Sequence, residues 1–117
     1  MSNVKERRRY IRTELPIMVV LRIKQGTAIE EVNSQTKNIS AMGMMIEIEK
    51  KVAVNTPVEL NLTPPNTANP IHITAKVVRS EKIEGKNAFD TGIEFIKIEE
   101  DNKNTFLKFL CDIIYKI

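Results

Sequence analysis

From Leu15 onward the chain alternates between apolar and polar residues. Ile17, Val19, Leu21 and Ile23 make one face of a first strand, and residues 28–37 alternate more weakly, as a polar, partly exposed strand would. Met44, Ile46 and Ile48 interleave with Met45, Glu47 and Glu49. Val58, Leu60 and Leu62 interleave with Glu59, Asn61 and Thr63. Ile71, Ile73, Ala75 and Val77 repeat the pattern, and Ile93 and Phe95 share one side of "DTGIEFIKI". Period-two patterning broken by turn residues predicts antiparallel strands with one wet face. The stretch "TPPNTANP" (63–70) reads as a loop and "EKIEGKNA" (81–88) as a hairpin connection.

The period then changes. Phe106, Phe109, Leu110, Ile113, Ile114 and Ile117 recur at three- and four-residue steps, the signature of an amphipathic helix. Glu99, Glu100 and Asp101 fall where the first turn of such a helix favours negative charge, so a helix is expected over about 99–116. Six strands followed by one helix, without strand–helix alternation, predict an all-β fold: a six-stranded antiparallel β-barrel with a C-terminal helical lid.

Composition narrows the class of protein. A chain of 117 residues holds one core. No apolar run reaches the length of a membrane span, and "MSNVKERRRYIR" lacks the apolar segment of a secretory signal, so a cytoplasmic protein is expected. The single cysteine, Cys111, excludes an intrachain disulfide and is read as a small apolar residue near the helix interface. The net charge of +3 is unevenly placed: Lys5, Arg7, Arg8, Arg9 and Arg12 face only Glu6 in residues 1–12, while the rest of the chain is close to neutral. The expected organisation is therefore a flexible basic arm, residues 1–13, ahead of a barrel domain, residues 14–117.

Catalytic equipment is scarce. The one histidine, His72, falls on the polar phase of its strand, and the pairs Glu30-Glu31 and Glu99-Glu100 diverge on any regular element. No phosphate-binding loop, dinucleotide fingerprint or metal-ligand cluster appears, so neither an enzyme nor a metal or organic cofactor is expected.

What remains is the arginine arm and the turn "NISAMG". Asn and Ser in a turn often serve the local backbone, and Gly tolerates positive φ, so each feature alone also has a purely structural explanation. Together they carry more. Arg8 and Arg12 in "RRYIR", followed by Asn38, Ser40 and Gly43 leading into a strand, resemble the RxxxR and Asp/Asn-x-Ser-x-x-Gly motifs of the PilZ domain family. The segments "ERRRYIRTELPIMVVL" and "AKVVRSEKIEGKNAFDTGIEFIKI" and the final helix extend the resemblance over nearly the whole chain.

The resemblance implies a PilZ-type β-barrel and, as ligand, cyclic di-GMP. Arg8 and Arg12 would fork onto phosphate or the guanine edge; Asn38 and Ser40 would meet a base, and Gly43 would leave room for it. Arg7, immediately before the motif, implies a site for two ligand molecules per chain. Arg9 and Arg79 are secondary candidates at the same rim. A stand-alone module of this family would act on a separate, unidentified protein by ordering its arm over the ligand. Two other readings stay open. One is a PilZ-like interaction adaptor that binds no nucleotide. The other is a small nucleic-acid-binding barrel, which a near-neutral barrel with 5% aromatics does not favour, so no polymer partner is expected.

Overall fold

The computed structural model describes residues 16–64, 70–99, 103–109 and 111. Six strands follow in order: β1 (Met18–Gln25), β2 (Ala28–Ile39), β3 (Gly43–Ile48), β4 (Pro57–Thr63), β5 (Ile71–Lys82) and β6 (Phe89–Ile98). All pair antiparallel and close into a barrel in the order β1-β2-β3-β6-β5-β4. A short helix, α1 (residues 103–109 and 111), follows. The all-β barrel read from periodicity is thus the observed fold.

Each apolar phase turns inward. Val19, Leu21 and Ile23 from β1 meet Ile46 and Ile48 from β3, Leu60 and Leu62 from β4, and Ile71, Ile73 and Val77 from β5 in a single buried cluster. Phe106 on α1 is fully buried and meets Phe95 edge-on, ring centroids 5.7 Å apart. The helix therefore joins the core by one aromatic side chain, with Phe109 packed partly against it. Among the described residues no helix is long and apolar enough to cross a membrane.

Three expectations shift. Strand β5 runs on to Lys82, so the connection to β6 is shorter than residues 81–88. Glu99 gives its backbone N–H to the His72 carbonyl at 3.2 Å and so continues the sheet instead of opening the helix. Cys111 is exposed rather than at the helix interface. It lies five residues beyond Phe106, about 140° around a helix from that buried side chain.

Candidate functional site

The "NISAMG" segment is the tight connection between β2 and β3. Ser40 N–H donates to the Gly43 carbonyl at 2.9 Å, closing the turn over Ala41 and Met42. Among described non-glycine residues only Asn55 has positive φ, so this turn lacks the left-handed residues that a two-residue hairpin prefers. The Ser40 side chain braces it instead. Its Oγ accepts the Met42 N–H at 3.2 Å and donates to the Gly43 carbonyl at 3.4 Å, and the residue is buried. The Met42 carbonyl in turn accepts the Phe95 N–H at 2.8 Å, tying the turn to β6.

Gly43 is required for a reason that the turn alone does not reveal. A β-carbon there would collide with the Ile93 carbonyl and stand 3.3 Å from the Glu94 Cα. Strand β3 crosses β6 too closely for any side chain at this position.

Asn38 owes its orientation to a β-bulge. On β2 the inward residues include Thr36, buried and bonded through Oγ1 to the Ile17 N–H at 3.1 Å. Strict alternation would next bring Asn38 inward. The β2–β3 register instead jumps from Thr36↔Ile46 to Asn38↔Met45, leaving Lys37 as the extra residue. Ile39 then takes the inward phase opposite Met44, and Asn38 shares the outer face with half-buried Met45. Two consecutive side chains, Lys37 and Asn38, thereby lie on the outside of the barrel.

A second bulge mirrors the first. On β5 the register with β6 jumps from Val77↔Ile93 to Arg79↔Gly92, so Val78 and Arg79 are both exposed. Combining ladders, Asn38 (β2), Met45 (β3), Gly92 (β6) and Arg79 (β5) stand in one row across the outer face. Three strand intervals put its ends about 14 Å apart. Gly92, in the middle of the row, is buried: an added β-carbon would lie 3.1 Å from the Arg79 Cβ and 3.7 Å from the Val78 Cγ2, so these side chains pack over it.

The neighbourhood is charged and cross-linked. Lys37 Nζ bonds Asp90 Oδ1, Arg79 Nη2 bonds Glu81 Oε1 and Lys86 Nζ bonds Glu47 Oε2, each at 2.7 Å. Glu81 holds the Arg79 proton more firmly than usual, chiefly by its hydrogen bond, and Asp90 adds to this. Glu47 does the same for Lys86, again with a contribution from Asp90.

Beside the row lies a groove of about 470 Å3 lined by Pro16, Met18, Asn33, Gln35, Lys37 and Glu47. It opens where the β2–β3 ladder gives way. There the Ser34 hydroxyl, rather than a backbone N–H, takes the Glu47 carbonyl at 2.9 Å.

The structure brings Asn38, Ser40 and Gly43 together in one turn and places Arg79 at the far end of the Asn38 row. Arg7, Arg8, Arg9 and Arg12 lie outside the described residues. Lys37, Asp90, Met45 and Gly92 carry no motif that singles them out in the sequence, and the bulge between Thr36 and Asn38 emerges only from the strand register. Elsewhere, His72 faces Asn61 (Nδ1–Oδ1 3.1 Å) and Glu59 (Nε2–Oε1 3.3 Å), a surface network with Lys24. Among the described residues no three His, Cys, Asp or Glu side chains gather as metal ligands would.

The PilZ domain profile matches residues 6–111. Among solved structures, the Bacillus subtilis inhibitor of motility, MotI/DgrA, superposes with a TM-score of 0.71 at 20% identity, over 90% of this chain and 50% of its own. The K. pneumonia MrkH–c-di-GMP complex gives 0.69 at 18% identity, over 93% of this chain and 53% of that one. The c-di-GMP-bound PilZ domain of YcgR from Escherichia coli gives 0.66 at 14% identity, over 94% and 93% of the two chains. The chain thus spans about half of the first two proteins and nearly all of the third domain. No curated protein matches it. With a family profile covering most of its length and this barrel beneath it, the chain belongs to the PilZ domain family.

Proposed function

We propose that the chain is a cyclic di-GMP receptor that binds the dinucleotide on the outer face beside the β2–β3 turn and acts by binding, not catalysis. The observation that carries this reading is the bulge that turns Asn38 outward next to Lys37, which lines an open groove, in a chain whose family includes c-di-GMP-bound members. Asn38 offers a base both a donor and an acceptor on the outer surface it shares with half-buried Met45. Ser40 and Gly43 serve mainly to hold that surface in shape.

Arg8 and Arg12 supply the cationic half of the site. Arg12 precedes Pro16, at the groove, by four residues, within about 14 Å of extended chain. Guanidinium groups fork onto phosphate and stack on bases, which suits them to this ligand. Arg7 adds charge for a second molecule, Arg9 is a neighbour of the pair, and Arg79 meets the far end of the ligand. Ordering the arm opposes binding through lost conformational entropy, so a micromolar affinity, about −8 kcal/mol, is expected. The ordered arm then changes the surface offered to a partner protein.

The alternative of a non-binding adaptor draws on one observation: Ser40 and Gly43 already have complete structural roles. Amide chemical-shift mapping separates the two. A receptor shows shifts on adding cyclic di-GMP that cluster at the arm, residues 37–43 and Gly92; an adaptor shows none.

A further inference from the structure

We infer that Lys37 is a phosphate-binding residue of this site and that Asp90 holds it in reserve, so that ligand must exchange the Asp90 carboxylate for its own phosphate. The inference rests on the receptor reading above. Lys37 is the inserted residue of the β2 bulge, immediately before Asn38 and on the same outer face. Its ammonium crosses β3 to reach Asp90 at 2.7 Å, on β6 two residues before Gly92. The pair thus borders the Asn38–Met45–Gly92–Arg79 row.

Asp90 has a wider reach than this one pair. Its field also helps hold the protons of Arg79 and Lys86, whose direct partners are the Glu81 and Glu47 carboxylates, so Asp90 sits in a cluster of three cations and three carboxylates. Of the three carboxylates Asp90 is the one paired with Lys37, so a phosphate diester that reaches Lys37 competes with Asp90 first. Both members of the pair are partly solvated, side chains 44% and 34% exposed. Exposed ion pairs are weak, so the exchange is accessible to a doubly charged ligand.

The test is a double-mutant cycle by titration with cyclic di-GMP: wild type, Lys37→Met, Asp90→Asn and both together. Lys37→Met should weaken binding about tenfold, as loss of a charge-assisted hydrogen bond does. Asp90→Asn should tighten it, by about threefold, since it removes both the competitor and the repulsion. In the Lys37→Met background the gain from Asp90→Asn should shrink, and Lys37→Arg should restore binding. Wild-type binding with Lys37→Met unchanged, or with Asp90→Asn weaker, overturns this inference and leaves the receptor reading standing. Failure of the wild type to bind overturns both. Both side chains lie on the surface, and thermal unfolding of each variant confirms that the barrel is intact.

Discussion

The carbonyl oxygen of Ile93 lies so close to Gly43 that a β-carbon there would collide with it. This one relationship ties the last residue of the "NISAMG" turn to a strand fifty residues later in the chain. Gly43→Ala must push β3 off β6 and should cost about 3 kcal/mol, the upper range for overpacking. Urea denaturation should show a lower midpoint with an unchanged slope. A variant as stable as wild type would mean that the two strands are not so closely apposed.

Ser40 and Asn38, two residues apart, should separate stability from binding. Ser40→Ala removes the hydroxyl that braces the turn and should destabilise the barrel by about 1–2 kcal/mol. Asn38→Ala should cost about 1 kcal/mol or less in stability yet weaken cyclic di-GMP binding about tenfold. The reverse pattern would place the ligand contact on Ser40.

Thr36 secures the entry to β1. Its backbone N–H donates to the Ile17 carbonyl, and its hydroxyl accepts the Ile17 N–H. Thr36→Val keeps the shape and strands a buried N–H, which should cost about 1–3 kcal/mol. Amide exchange at Ile17 should accelerate more than in the rest of β1. Uniform acceleration along the strand would argue against a local anchor.

Glu59 sets an acid limit on stability. Its hydrogen bond from Lys24 lowers its pKa; burial opposes this, and the charges of Lys24, His72 and Arg22 reinforce it. A depressed carboxylate contributes stability above its unfolded value, near 4.5, and loses it as pH falls through the lower folded value. Stability should therefore decline below about pH 4.5, and less steeply in Lys24→Met. Parallel acid limbs in the two proteins would remove Lys24 as the cause.

The barrel was legible because its strands alternate cleanly: Val58, Leu60 and Leu62 can face only one way. The site was legible only in its motif residues. Lys37 and Asn38 are both polar, so the phase change between them leaves almost no trace in hydropathy. The need for a glycine at 43 depends on Ile93, which sequence spacing does not reveal. Glu99 had the charge for a helix start, but its N–H bonds the His72 carbonyl, which holds its backbone in the sheet. Lys37 and Asp90 carry ordinary surface chemistry, and only the β2–β3–β6 register brings them together.

The most direct test of the central claim is isothermal titration of the chain with cyclic di-GMP at near-physiological salt, with GTP as the control. The account predicts saturable, micromolar binding to the cyclic dinucleotide alone, with two molecules per chain if Arg7 acts as proposed. Arg8→Ala and Arg12→Ala should each bind roughly ten- to a hundredfold more weakly. Saturation by GTP, wild-type affinity in both arginine variants, or silence confirmed with labelled ligand would contradict it.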